Sequence, residues 1–204
     1  MKRDLSTIKA VIKADYKRHV KRFSMITSTH DIVFIGDSLV AYFPHNMLDS
    51  ALQVQWMGIP GDTSQGVLER LDHVIRLKPR KLVLHVGIND EMLIDFTPEM
   101  TIKTIGQIID ELEEALPDMV VIVVSLTPIN HIDFPHGTYV IDRSPKFAVK
   151  VNEGLTKLKH IIYLDLYHAL LDDHDALKRL WTTDGIHLSQ SGYQIYAKLL
   201  KSVL

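Results

Sequence analysis

Four short motifs carry side chains that together are suited to nucleophilic catalysis: GDS, GIPGD, GIND and DGIH, beginning at Gly36, Gly58, Gly87 and Asp184. We refer to them as the first to fourth motifs. Ser38 in the first motif is a candidate nucleophile. Serine is a weak nucleophile near neutral pH, so it needs an adjacent base, and histidine fits that role when a carboxylate fixes its tautomer.

The fourth motif supplies both groups that Ser38 would need. Asp184 and His187 lie three residues apart, and both can turn toward one point. In this interpretation His187 accepts the serine proton while Asp184 binds the other ring nitrogen. The developing oxyanion needs hydrogen-bond donors, each typically worth about 3 kcal/mol of transition-state stabilisation. The candidate donors are the Ser38 N–H, the Gly61 N–H and the Asn89 side-chain amide.

Each motif taken alone also has a purely structural interpretation. Gly-Asp-Ser after a strand is typical of a turn with a helix cap, and Asp62 or Thr63 would cap the helix that follows them. We expect Asp37, Asp62 and Asp90 to fix these turns by hydrogen bonds rather than to take part in the chemistry. The presence of all four motifs, in order, at corresponding strand ends favours the catalytic interpretation.

The hydrophobic pattern predicts the elements that position these motifs. Apolar, β-branched runs predict five strands at Asp31–Ile35, Gln53–Met57, Lys81–Val86, Met119–Ser125 and Ile161–Asp165. Helical periodicity appears at Thr63–Arg76, Pro98–Leu116, Lys146–Lys159 and Ser189–Val203, the last with Ser189 as its N-cap. Strands that are apolar on both faces and alternate with helices predict an α/β fold with a parallel, doubly wound sheet. Such sheets bind ligands at the carboxyl ends of their strands, where the motifs lie.

Taken together, GDSL, GIPGD, GIND and DGIH resemble the signature blocks of the SGNH hydrolases, also called the GDSL family of esterases and lipases. The similarity covers nearly all of residues 31–200. It implies a flavodoxin-like, three-layer α/β/α sandwich with a five-stranded parallel sheet, and catalysis without a cofactor. The pattern is most similar to small intracellular members that resemble the catalytic subunits of platelet-activating-factor acetylhydrolase. Such relatives can dimerise, which leaves a homodimer as an open alternative.

The resemblance also assigns roles to individual residues. It implies that Ser38 is the nucleophile, that Asp184 and His187 complete the triad, and that Gly61 and Asn89 contribute to the oxyanion hole. The second motif departs from many relatives in having proline before its second glycine. Because proline lacks an N–H, the donor role is expected to stay with Gly61.

Length, composition and charge exclude several other classes of protein. The 204 residues fit a single domain over residues 1–204, and a net charge of −2 gives no reason to expect nucleic acid as a partner. The absence of cysteine excludes disulfides and thiolate chemistry. No apolar run is long enough to span a membrane, and lysines interrupt the N-terminus where a signal peptide would be apolar. We therefore predict a cytoplasmic protein without integral membrane insertion.

The N-terminal segment has the pattern of a basic amphipathic helix over residues 1–25. Residues 1–22 contain eight Lys or Arg and two Asp, and apolar residues recur at steps of three and four. We expect this helix to pack on the domain with its basic face in solvent. The alternative is contact with a membrane surface or a partner protein.

Histidines and a long loop complete the set of candidate functional features. His85 lies inside the third predicted strand and is interpreted as a core histidine. His131 and His136 flank Asp133 in the loop after the fourth strand, but their short spacing without further ligands argues against a metal site. That loop is long for a compact domain, and such loops often carry function. The side chains predicted to wall the substrate pocket are Ile132, Phe134, Tyr139, Tyr42, Phe43 and the stretch Met92–Phe96.

The leading hypothesis is a serine esterase that hydrolyses small-molecule carboxylic esters with small or medium acyl groups through an acyl-serine intermediate. A second hypothesis is a lysophospholipase or acyl-thioesterase acting on longer chains, which the basic N-terminal segment would bring to anionic lipid. A third is a non-catalytic binding module that keeps the site architecture. A flavin or nucleotide binder is disfavoured because no glycine-rich dinucleotide motif or P-loop follows the first strand.

Overall fold

A five-stranded, all-parallel sheet forms the centre of the computed structural model, which describes the backbone of residues 6–204 and the side chains from Asp15 onward. The strands are β1 (Ile32–Gly36), β2 (Val54–Gly58), β3 (Lys81–His85), β4 (Val120–Val124) and β5 (Ile161–Leu164). Their spatial order is β2-β1-β3-β4-β5, which is the flavodoxin-like form of the doubly wound sheet. The predicted fold class is confirmed.

Helices connect the strands and cover both faces of the sheet. They are α1 (Ser6–Ser24), α2 (Ser38–Ala41), α3 (Ser64–Leu68), α4 (Leu71–Leu77), α5 (Asp90–Ile94), α6 (Pro98–Ala115), α7 (Pro145–Leu155), α8 (Leu166–Ala169) and α9 (Gln190–Leu200). The first residues of the predicted N-terminal helix, 1–5, lie outside the described residues. Among residues 6–204, no helix is both long and apolar enough to cross a membrane.

Alternate side chains of the strands contribute to two hydrophobic cores, one on each face of the sheet. In β1, Val33 and Ile35 pack into the core shared with α3, α4, α6 and α7, whereas Ile32 and Phe34 pack into the core shared with α2, α8 and α9. Because both faces are covered, the strand is apolar throughout rather than alternating with polar residues. Helix α1 joins the first of these cores through Phe23.

One predicted helix is divided in two. The sequence predicts a continuous helix over Thr63–Arg76, but the chain leaves helical geometry at Arg70, whose φ and ψ are −121° and 17°. The guanidinium of Arg70 is buried and reaches back to Asp62, with 2.9 Å from Nε and 2.8 Å from Nη2 to Oδ2. The break between α3 and α4 therefore accompanies a buried ion pair, which a hydrophobic pattern does not reveal.

The capping prediction for the last helix is confirmed. The Ser189 hydroxyl accepts a hydrogen bond from the Gly192 N–H at the start of α9. Residues 126–144, after β4, form turns without a helix or strand, as the sequence predicts. This loop and the turns after β1, β2 and β3 all lie at the carboxyl edge of the sheet.

Candidate active site

Ser38 is the first residue of α2, and only Asp37 separates it from the end of β1. Asp37 caps this helix, since its Oδ1 accepts a hydrogen bond from the Leu39 N–H at 2.9 Å. The strand can end so close to β3 because position 36 is glycine, where a Cβ would lie 1.9 Å from the His85 carbonyl oxygen. Asp37 and Ser38 thus have separate roles in the first motif. Asp37 caps the helix, whereas Ser38, which is 7% exposed, lies at the edge of the sheet.

Ser38, His187 and Asp184 form a continuous chain of hydrogen bonds. Ser38 Oγ lies 3.0 Å from His187 Nε2, and His187 Nδ1 lies 2.7 Å from Asp184 Oδ2. The other carboxylate oxygen, Oδ1, accepts the backbone N–H groups of Ile186 at 3.1 Å and of His187 at 2.8 Å. These heavy-atom distances lie within the range over which a side chain transfers a proton as a general base.

The same hydrogen bonds keep Asp184 ionised. Burial raises the pKa of its carboxyl, but the bonds from the His187 ring and from the backbone outweigh burial, so the pKa lies below its usual value. The carboxylate can therefore accept the Nδ1 proton and stabilise an imidazolium. Because this folded-state pKa is depressed, the stability it contributes is present above the unfolded-state pKa and is lost as the pH falls through the folded value.

Thr182 fixes the loop that carries Asp184 and His187. Its hydroxyl donates to the His187 carbonyl at 2.8 Å and accepts the Gly185 N–H at 2.9 Å. Gly185 has a φ of 95°, in the left-handed region that glycine favours. These hydrogen bonds within the turn keep the Asp184 and His187 side chains next to each other.

The predicted oxyanion donors come from three neighbouring turns. The N–H groups of Ser38 and Gly61 have no backbone acceptor in the described part of the chain. The Nδ2 of Asn89 donates to the Asp62 carbonyl at 2.9 Å, which joins the second and third motifs. An amide nitrogen carries two hydrogens, so this bond leaves one for a ligand.

Asp62 and Asp90 fix these turns, as predicted. Asp62 Oδ1 accepts the Thr63 N–H at 2.9 Å, and its Oδ2 binds the guanidinium of Arg70. Asp90 accepts the N–H of Ser64 at 2.9 Å, the hydroxyl of Ser64, and the hydroxyl of Thr101 at 2.8 Å. These contacts tie the turns after β2 and β3 to α3 and α6.

The Asp62–Arg70 pair predicts a large loss of stability when one charge is removed. Burial raises the pKa of Asp62 to about 6, against the attraction and hydrogen bonds of Arg70. We expect Arg70→Met to lower the free energy of unfolding by about 3–5 kcal/mol, because it leaves a buried carboxylate without its partner. Urea denaturation measures the change. The double variant Arg70→Met with Asp62→Leu should recover much of it, and equal destabilisation of the single and double variants would contradict this account.

Asp37 is a second buried carboxyl at the site. Burial raises its pKa to about 7, while the Leu39 N–H and the nearby charges of His187 and Arg143 lower it. Its Oδ2 has no hydrogen-bond partner among the described residues. Asp37 is therefore a buried carboxyl beside Ser38 whose negative charge is poorly compensated.

Three buried polar residues support the site but were not predicted from the sequence: Arg70, Thr182 and Arg143. All three are buried polar side chains with several hydrogen bonds. Arginine is almost never fully buried unless it is paired, and its partner here is set by tertiary contacts rather than by sequence spacing. No local pattern in the sequence marks these residues.

Two of the aromatic side chains predicted to wall the substrate pocket lie beside His187. The rings of Tyr42 and Tyr139 lie against His187, with centroid distances of 5.7 Å and 5.0 Å, and both tyrosines are exposed. The prediction for Phe43 is wrong, because this ring is 3% exposed and stacks on Trp56 in the core beside α2. Phe134 is half-buried and packs under the guanidinium of Arg179, at 4.6 Å.

The other histidine interpretations concern the core and the loop after β4. His85 is a core residue, as predicted: it is 1% exposed, its Nδ1 lies 3.1 Å from the Tyr196 hydroxyl, and burial lowers its pKa to about 3. Asp133 accepts a hydrogen bond from the Asn130 amide at 2.7 Å. Among the described residues, no group of three or more histidine or acidic side chains could hold a metal ion.

The fold and the four motifs together indicate a hydrolase of the α/β class. A family model leads to the same class independently. The model of the GDSL-like lipase/acylhydrolase family matches residues 34–195, and the chain belongs to this family. The family predicted from the motifs is thereby confirmed. No curated protein matches the sequence.

Solved structures share the fold. A candidate platelet activating factor from Streptococcus pneumonia has a TM-score of 0.87 at 24% identity, over 98% of this chain and 97% of the other. A candidate acylhydrolase from Bacteroides fragilis has a TM-score of 0.77 at 20% identity, over 93% and 95%. A variant of an acetyl-xylooligosaccharide esterase from Geobacillus Stearmophilus has a TM-score of 0.67 at 17% identity, over 87% and 94%.

Proposed function

We propose that the protein is a serine esterase that hydrolyses carboxylic esters with small or medium acyl groups through an acyl-serine intermediate. The observation that carries the proposal is the unbroken hydrogen-bond chain from Ser38 Oγ through His187 to Asp184. Membership of an acylhydrolase family supports it. The esterase and acylhydrolase names of two structures with the same fold also support it.

In the first half of the reaction, Ser38 Oγ attacks the ester carbonyl while His187 Nε2 takes its proton. The negative charge that forms on the carbonyl oxygen is stabilised by the N–H groups of Ser38 and Gly61 and by the Asn89 amide. The tetrahedral intermediate collapses, the carbon–oxygen bond to the alcohol breaks, and His187 gives its proton to the leaving alkoxide.

In the second half, water hydrolyses the acyl-serine. His187 removes a proton from water as it attacks the acyl carbonyl, and the Ser38–acyl bond breaks. His187 returns the proton to Ser38 Oγ, and the carboxylic acid leaves. Asp184 keeps its charge throughout and stabilises the imidazolium in both halves.

A series of p-nitrophenyl esters from acetate to palmitate tests the proposal. We expect kcat/KM to be highest for acetate or butyrate and to fall for longer chains. The release of p-nitrophenol measures the rate, with protein-free buffer giving the background for each ester. An optimum at palmitate would favour the lysophospholipase or thioesterase alternative, and no turnover of any ester together with no phosphonylation of Ser38 would favour a binding module.

A further inference from the structure

Arg143, in the loop after β4, is a buried cation at the site and is 7% exposed. Its guanidinium donates to Oδ1 of Asn89 from Nη2 at 2.7 Å, to the Ile88 carbonyl from Nη1, and to the Tyr139 carbonyl from Nε at 2.7 Å. Two of these acceptors belong to the third motif. We infer that Arg143 is a positioning residue that orients and polarises the Asn89 amide so that its N–H faces the oxyanion. The inference rests on the proposed function.

Hydrogen bonds on both sides of the Asn89 side chain fix the orientation of its amide. The oxygen and nitrogen ends of an asparagine side chain have nearly the same shape, so hydrogen bonds decide which way it faces. A guanidinium is a donor only, and it therefore accepts the oxygen end of Asn89 as its neighbour. On the other side, the Asp62 carbonyl is an acceptor and takes one N–H of Nδ2 at 2.9 Å. The flipped amide would face a donor with a donor and an acceptor with an acceptor.

Arg143 also strengthens the Asn89 amide as a hydrogen-bond donor. The bond from Arg143 to Asn89 Oδ1 is charge-assisted and shielded from solvent. Such a bond draws electron density toward the amide oxygen, and hydrogen bonds in a chain polarise one another in this way. The remaining Nδ2–H becomes a better donor for negative charge. Burial lowers the pKa of Arg143 to about 10, so the guanidinium stays protonated at neutral pH.

Arg143 also fixes the loop to which it belongs. Its Nε holds the Tyr139 carbonyl, and the Tyr139 ring lies against His187. The neighbouring Ser144 N–H donates to Glu91 Oε2 at 3.0 Å, which links this loop to α5 as well. Loss of Arg143 therefore affects both the Asn89 amide and the loop beside the base. An experiment must separate these two effects.

The test begins with Arg143→Met. We expect kcat for p-nitrophenyl acetate to fall about 10- to 100-fold, less than the roughly 10²- to 10³-fold loss expected for Asn89→Ala, because the donor remains but is no longer oriented. KM should stay within about threefold, since the interaction matters in the transition state. Arg143→Lys keeps the charge without the planar fork and should lose less activity than Arg143→Met.

A double-mutant cycle with Asn89→Ala decides whether Arg143 acts through Asn89. If it does, Arg143→Met in the Asn89→Ala background should change kcat by less than about threefold, because residues that act as a unit are not additive. The same fold-loss in both backgrounds would overturn the inference and assign the effect to the loop that carries Tyr139. A wild-type kcat in Arg143→Met would overturn it as well.

Controls separate this inference from the proposed function and from misfolding. Arg80→Met removes an exposed arginine just before β3, at the opposite edge of the sheet, and should keep the wild-type kcat. If Arg143→Met fails to fold, as judged by circular dichroism and thermal melting, the same cycle is run with Arg143→Lys. If Ser38→Ala retains full activity, the proposed function fails. If Ser38→Ala is inactive while the cycle is additive, only the role of Arg143 fails.

Discussion

Ser38→Ala is expected to lower kcat for p-nitrophenyl acetate by about 10⁴- to 10⁶-fold while leaving the fold intact. The hydroxyl lies 3.0 Å from His187 Nε2 and is the group that would form the covalent intermediate. Alanine fits at the first position of α2 without strain, since the helix cap comes from Asp37 and not from the serine. The residual rate should reflect the oxyanion donors and substrate binding.

The measurement combines steady-state kinetics with covalent labelling. A fluorophosphonate forms an oxygen–phosphorus bond to an activated serine and releases fluoride, so wild-type protein should gain one phosphonyl group on the peptide that contains Ser38. Ser28→Ala, which changes an exposed serine, should be labelled and active like wild type. Unchanged kcat in Ser38→Ala, or labelling at another residue, would rule out Ser38 as the nucleophile.

Asp184→Asn is expected to cost about 10⁴-fold in kcat through the wrong histidine tautomer. The N–H groups of Ile186 and His187 both point at Oδ1, so the asparagine oxygen must take that place. The NH₂ group then replaces Oδ2 and donates to His187 Nδ1. Nδ1 can accept this bond only when the ring proton is on Nε2 instead. In that tautomer Nε2 can no longer accept the proton of Ser38.

Structure and kinetics together check this prediction. Asp184→Asn should still unfold in a single cooperative thermal transition, which would show that the loss of kcat does not come from misfolding. Asp118→Asn, a carboxylate change before β4 at the opposite edge of the sheet, should leave kcat unchanged. A loss below about tenfold in Asp184→Asn would show that the carboxylate does not set the tautomer.

The sequence predicts the sheet closely because the strands are buried on both faces. Every observed strand boundary lies within one residue of its prediction, since the apolar runs end where the chain reaches the polar turns at the sheet edge. The short helices α2, α5 and α8 have four or five residues, too few to show helical periodicity. Among the long helices, α6 is predicted to within one residue at both ends, whereas the predictions for α7 and α9 run on to Lys159 and Val203, past the observed ends at Leu155 and Leu200.

The predicted site residues lie together because each of them follows a strand or precedes the last helix. What the sequence does not reveal is the layer of buried polar groups beneath them. Arg70 and Arg143 donate to carbonyl oxygens far away along the chain, and the helix predicted over Thr63–Arg76 is divided at Arg70. Phe43 was wrongly predicted to line the pocket because it lies next to the first motif in the sequence. In the structure it is buried in the aromatic cluster around Trp56.

The separation of Ser38 and His187 along the chain has a consequence for folding. Ser38 and His187 are 149 residues apart, and their contact depends on α9, whose Tyr193 hydroxyl donates to the Leu39 carbonyl at 3.2 Å. Loop closure over such a distance comes late, after local contacts have formed. During synthesis, Ser38 emerges from the ribosome long before His187 does. We therefore expect the regain of activity on refolding to report the docking of α9 and the loop before it rather than early collapse.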